Sequence, residues 1–141
     1  MPTKNLMEEK LIGIDYGGTN IGIAFGTNGL VIPVKIISDK DDQSAITEIS
    51  RYILEDKIDK IIMGLPLSED GKETRQSQVV RRFSKLLKIR VKKPLEFENE
   101  FRTTKDSRTE AIYLGIAKKH RQIVDDLSAA LILKSYYSKL S

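Results

Sequence analysis

The chain has 141 residues, 24 of them Lys or Arg and 20 Asp or Glu, for a formal net charge of +4. That length suits a single domain with its own core, expected over residues 1–141, and the lack of cysteine excludes disulfides, thiolate metal sites and a thiol nucleophile. No apolar run approaches the ~20 residues that cross a bilayer, and the opening MPTKNLMEEK lacks the apolar stretch of a secretory signal, so no membrane partner and a cytoplasmic location are expected.

Lys10 to Tyr16 reads as a first strand and Ile21 to Phe25 as a second. Gly17 and Gly18 are expected to supply the positive φ of a tight reversal, making an antiparallel hairpin. Thr27-Asn28-Gly29 is a second turn, and Leu30 to Ile37 a third strand whose Pro33 predicts an edge position or a bulge. After the polar Ser38 to Asp42, a helix over Ser44 to Glu55 places Ile46, Ile49, Ile53 and Leu54 on one face. Lys60 to Gly64 is a short buried strand, and Leu65 to Lys72, LPLSEDGK, a loop. Glu73 to Lys88 is a helix with Val79, Val80, Phe83, Leu86 and Leu87 as its apolar stripe. Pro94 to Glu98 is a fifth strand. Thr103 or Thr104 caps a third helix running to about Ile116, and Ile123 to Leu140 is the last, with Val124, Leu127, Ala130, Leu131 and Tyr137 on its buried side. The order β-β-β-α-β-α-β-α-α predicts an α/β domain with a mixed five-stranded sheet. Three antiparallel strands come first, and right-handed helical crossovers then lay two more parallel to the first.

Three acids stand at element boundaries: Asp15 at the end of the first strand, Glu100 after the fifth and Asp125 at the opening of the last helix. The parallel arrangement would bring Asp15 and Glu100 to one sheet edge, with Asp125 over them. Hard oxygen donors without His or Cys suit Mg²⁺ or Mn²⁺. Two such ions ~3.5–4 Å apart would activate a water and stabilise the leaving oxygen in phosphodiester cleavage. Each acid also has a plainer reading, as a solvated or helix-capping residue. Positive charge gathers at Arg81, Arg82, Lys85, Lys88, Arg90, Lys92 and Lys93, and again at Lys118, Lys119, His120 and Arg121, which suggests one basic face. Arg75, Arg81, Arg82, Lys85 and Lys88 are candidates for phosphate contact, with a solvated helix face as the alternative. Ser68 lacks a His-Asp partner and is discounted as a nucleophile.

Four stretches in order, IDYGGTNIGIAF, MGLPLSEDG with a downstream Phe83, ENEFRTTKDSRTEA and VDDLSAALILKSYY, make the chain resemble the YqgF (RuvX) family over nearly its whole length. The resemblance implies a ribonuclease H-like fold and a metal-dependent nuclease with Asp15, Glu100 and Asp125 as catalytic, metal-binding acids. It implies a structured precursor of 16S rRNA as substrate, with branched DNA of the Holliday junction type as the alternative. A groove is expected around Gly64, Pro66 and Asp70, with Arg75, Arg102, Thr103, Lys119 and Arg121 as further substrate contacts, in a monomer or weak homodimer. By analogy with ribonuclease H, His120 is a candidate for handling a proton, although a lone loop histidine is more often solvated. The chain departs from the family pattern at Thr19 and Asn20 in the first turn, at Asn99 and Phe101 around Glu100, and at Ser128, one turn after Asp125. Two rivals stand beside this reading. DYGGTN also resembles the phosphate loop of acetate and sugar kinases, which need a second lobe. The departures fit a module that binds rRNA or a ribosome or transcription factor without cutting.

Overall fold

The computed structural model describes residues 5–17, 19–38, 41–99 and 127–140. Its sheet holds β1 (Leu11–Tyr16), β2 (Asn20–Thr27), β3 (Leu30–Ser38), β4 (Lys60–Leu65) and β5 (Leu95–Asn99) in the order β3-β2-β1-β4-β5. β1 pairs antiparallel with β2, and β2 with β3; β1 pairs parallel with β4, and β4 with β5. This is the mixed sheet that the element order predicts. The helices are α1 (Asp42–Glu55), α2 (Arg75–Val91) and α3 (Ser128–Leu140).

Alternation along β1 divides the molecule into two layers. Ile12, Ile14 and Tyr16 face the core built with Ile46, Ile49 and Ile53 of α1 and Val80, Phe83 and Leu87 of α2. Leu11 faces the other way, with Ala24 and Ile62, onto Ala129, Ile132, Leu133 and Tyr136 of α3. That second layer is unusually close to the sheet. A Cβ added to Gly13 would lie 2.6 Å from Leu133 Cγ and 2.9 Å from the Ala129 carbonyl oxygen, and one on Gly26 would lie 2.8 Å from the Tyr137 hydroxyl. At Gly13 glycine lets the helix backbone come down onto the strand, and at Gly26 it leaves room for the Tyr137 side chain.

The turns show what local chemistry could and could not say. Asn28 (φ 54°) and Gly29 (φ 81°) are both left-handed, the geometry that matches a two-residue hairpin loop to the twist of its strands. Gly17, by contrast, has no positive φ. Its amide donates to the Asn20 carbonyl at 2.9 Å, and a Cβ there would sit 3.0 Å from that same oxygen, so closeness and not handedness calls for glycine. Pro33 lies on the edge strand β3, beside a register break between Ile23 and Ala24, so both outcomes expected of it occur.

Helix boundaries differ by a few residues from those expected. The Asp41 carboxylate accepts from the Ser44 amide and starts α1 at Asp42. Thr74 and Ser77 cap each other's backbone amides and start α2 at Arg75, and a left-handed Lys92 ends it three residues later than expected. The last helix, α3, is described from Ser128, after Leu127; residues 123–126 of the expected span lie outside the described residues. The helix expected from Thr103 to about Ile116 lies outside the described residues. Two apolar residues assigned inward face out instead: Leu54 is 79% exposed and Leu86 41%. Both sit at the margin of their helix's apolar stripe, where periodicity cannot tell a core contact from a rim.

Lys60, the first residue of β4, is only 8% exposed. Its ammonium meets the carboxylates of Glu9 at 3.1 Å and Glu96 at 2.9 Å, and donates to the Tyr136 hydroxyl at 3.2 Å. Burial alone would lower its pKa, but the bonds to Glu96, Tyr136 and Glu9 outweigh that and raise it. This cluster ties the N-terminal segment, β4, β5 and α3 together at the N-terminal end of the parallel strands.

Candidate active site

β1, β4 and β5 run in parallel and end at one edge of the sheet. α2 follows β4 through a short loop and so begins at that edge, as α1 does after β3. The first turn of α3 reaches the same place. A Cβ on Gly22, the register partner of Asp15, would lie 3.6 Å from Ala129 Cβ and 3.8 Å from Asp15 Cβ. Three helix N-termini therefore stand near one end of the sheet, and the positive ends of their dipoles make that edge favourable for negative charge.

Asp15 is the penultimate residue of β1, half-buried, on the face that carries Leu11 and Gly13 and that α3 covers. It follows the pair Ile14–Met63, and Gly64 follows the same pair on β4, next to Glu98 of β5. Glu98 is 3% exposed and accepts from Ser135 Oγ at 2.6 Å and Lys139 Nζ at 2.9 Å, both on α3. This buried acid joins the last described strand to the last helix. Sequence reasoning missed it, although its place two residues before Glu100 in the sequence put it within reach.

The loop after β4 is built from its own side chains. Ser68 donates its hydroxyl to the Asp70 carboxylate and accepts from the Lys72 amide, and Gly71 turns with φ 81°. The Ser68 hydroxyl, followed by weaker bonds within the turn that include Lys72, holds the Asp70 carboxyl below its usual range. Asp70 thus acts first on the shape of its loop. Thr74 Oγ1 donates to the Pro66 carbonyl at 2.8 Å, which clamps the loop to the start of α2. Gln76 Nε2 reaches the Tyr16 carbonyl at 3.3 Å, and the Tyr16 hydroxyl donates to Asp42 at 2.8 Å. Tyr16 packs on Phe83 with ring centres 4.5 Å apart; burial and the bond to Asp42 push its phenol up to about 12. Neither Tyr16 nor Gln76 was expected to help frame the edge.

Of the expected site residues, Asp15, Gly64, Pro66, Asp70 and Arg75 stand at this edge, with Arg75 exposed as the first residue of α2. Arg81 is engaged elsewhere: it pairs with Glu73 at 2.8 and 2.9 Å and lies 5.0 Å over the Phe97 ring. Glu100, Arg102, Thr103, Lys119, His120, Arg121 and Asp125 lie outside the described residues. Among the described residues no group of three His, Cys, Asp or Glu side chains could hold a metal ion, and no helix is long and apolar enough to cross a membrane.

Comparison with known proteins agrees with this architecture. A protein from Rickettsia typhi named as a pre-16S rRNA nuclease is 33% identical, over 94% of this chain and 92% of its own length. One of the same name from Aeromonas salmonicida is 32% identical over 93% and 96%. Among solved structures, Thermus thermophilus RuvC in complex with a Holliday junction matches with a TM-score of 0.62 at 9% identity, covering 94% of this chain and 97% of that one. The fowlpox virus resolvase bound to junction DNA matches at 0.57 and 13%, covering 93% and 97%. These likenesses show a ribonuclease H-like fold. The family model described as RuvX, Holliday junction resolvase, matches residues 9–139, and the chain belongs to that family.

Proposed function

We propose that this chain is a nuclease that hydrolyses phosphodiester bonds in the precursor of 16S rRNA. The observation that carries the reading is Asp15: an acid on the central strand, held at the edge near which three helix N-termini stand, on the face that the first turn of α3 covers. Two relatives above 30% identity bear the name of that activity.

In this reading Asp15, Glu100 and Asp125 hold Mg²⁺ or Mn²⁺, which would supply an activated water and charge neutralisation at the leaving oxygen. Asp15 fits by donor type, as a carboxylate suits a hard cation. The other parts position the substrate. The helix N-termini draw in phosphates, and Arg75 contacts one from the start of α2. Gly64 and Pro66 form the floor of the groove, with Asp70 and Thr74 fixing the loop. Arg102, Thr103, Lys119 and Arg121 extend the contact to the flanking strand, and the protein works in the cytoplasm as a monomer or weak homodimer. The family's own description favours a second reading, cleavage of branched DNA.

One experiment separates these. A precursor rRNA fragment and a four-way DNA junction are incubated with the protein, with Mn²⁺ and with EDTA, beside Asp15→Asn. Cleavage of the RNA that needs the metal and falls at least about a hundredfold in the variant, ~2.7 kcal/mol in the barrier, is the expected result. Cleavage of the junction alone assigns the protein to branched DNA. Undiminished turnover by Asp15→Asn refutes the site.

A further inference from the structure

A second surface lies on the helical layer away from α3. Between α1 and α2 runs a groove with two hollows, of about 490 and 280 Å³, that share Arg90. Ile46 and Ile53 line its floor, while Leu54 and Ile89 stand at its rim 79% and 73% exposed, with Leu86 beside Ile89. Covering these last three would remove from water apolar surface that the chain alone leaves exposed. The groove is also strongly one-signed on its α2 wall. From Arg75 to Lys93 the sequence contains no acid. Among the described residues Arg82, Lys85, Lys88, Arg90, Lys92 and Lys93 have no carboxylate partner, since Arg81 takes Glu73 and the remaining ion pairs lie on other elements. Lys57 adds a cation from the end of α1, and the one acid in the lining, Asp59, accepts from the Lys10 amide.

We infer that the α1–α2 groove binds an amphipathic helix of a partner protein, seating its apolar stripe on Leu54, Leu86 and Ile89 and its flanking carboxylates on Lys57, Arg90 and Lys93. Each alternative occupant fits less well. A nucleic-acid backbone would use the cations but would leave the projecting leucines and isoleucine against phosphate and sugar. A second copy of this chain docked through the same face would set one cationic α2 against another. An acidic helix with apolar residues at i, i+3, i+4 and i+7 satisfies both the apolar rim and the unpaired charge. The groove uses only the C-terminal part of α2 but runs along α1 from Gln43 to Lys57, just past its end, and it lies on the helical layer opposite the face that carries Asp15, so a helix docked there leaves that face open.

The test uses the full chain and a fluorescently labelled helical peptide of about 18 residues, five turns, with a leucine stripe and glutamates on both flanks. A copy with glutamine for glutamate and a short RNA duplex run beside it. The acidic peptide should bind, weaken steeply as salt rises, and lose at least about tenfold in the Leu54→Ser, Ile89→Ser double variant. Both positions are exposed, so the variant keeps its fold, which circular dichroism checks. A charge-only control, Arg90→Ala with Lys93→Ala, should weaken the peptide severalfold. No binding of the acidic peptide, equal binding of the glutamine peptide, or indifference to the double variant overturns the inference. An RNA duplex whose affinity falls in the double variant, or self-association in sedimentation that the double variant abolishes, overturns it in favour of those occupants.

Discussion

Replacing Gly13 by alanine tests how closely α3 is seated on the sheet. The added methyl would meet Leu133 Cγ at 2.6 Å and the Ala129 carbonyl oxygen at 2.9 Å, where ordinary contact begins at 3.4 Å. Leu133 can turn its side chain, but the Ala129 oxygen belongs to the backbone of the helix. The whole first turn of α3 must lift by about half an ångström to restore contact. Overpacking of this kind costs about 1–3 kcal/mol, and the loss of glycine freedom in the unfolded chain returns about 0.4–1. The net penalty of about 1–2 kcal/mol corresponds to a fall in Tm of roughly 3–7 °C for a chain of this size. Thermal melting followed by circular dichroism measures it. In a Leu133→Ala background the same substitution should cost less, because the nearer of the two clashes is gone, while the clash with the carbonyl persists. A Gly13→Ala protein that melts at or above the wild-type temperature refutes the reasoning.

Three further outcomes follow from other contacts. Lys60→Ala leaves Glu9 and Glu96 without their shared cation and Tyr136 without its donor, and should cost about 3 kcal/mol in urea unfolding. Tyr16→Phe removes a phenol whose pKa is raised to about 12. The wild type is stabilised below the ordinary value near 10 and loses that contribution as pH climbs toward 12, so its advantage over the variant, about 1 kcal/mol at neutral pH, should shrink across that window in denaturation measured at each pH. Gly29→Ala forces a side chain into φ 81° and should lower stability by about 1–2 kcal/mol, read from the urea midpoint at unchanged slope.

The sheet was legible because its strands are short, apolar and punctuated by turn residues whose chemistry is local. Asn28-Gly29 names its own turn type, and Pro33 can stand only where a ladder bond is missing. Helix existence was equally plain from periodicity. The misplacement of Leu54 and Leu86 has a specific cause: a helix stripe says which residues are apolar together, but the neighbour that covers them is set by tertiary packing. Lys60 was invisible as a buried residue because lysine is ordinarily exposed. Only the pairing of β4 with β5 brings Glu96 within reach, and no local pattern encodes that. At the site Asp15 announced itself as a carboxylate closing an apolar run. Gln76 and Glu98 did not, since each matters through a partner 60 and 37 residues away, respectively.

The Lys60 cluster and the Asp15 edge lie at opposite ends of the parallel strands. Such a layout separates tolerance to change. Anchors at the N-terminal end hold β4, β5 and α3 in place whatever side chains occupy the rim beyond their other end. Of the positions where the chain is expected to leave its family's pattern, Thr19, Asn20, Asn99 and Ser128 belong to that other end, and Phe101 lies outside the described residues. A lineage can therefore revise the chemistry of the rim residue by residue while the scaffold that presents it stays folded, and the same division gives an engineer a defined half of the molecule in which to work.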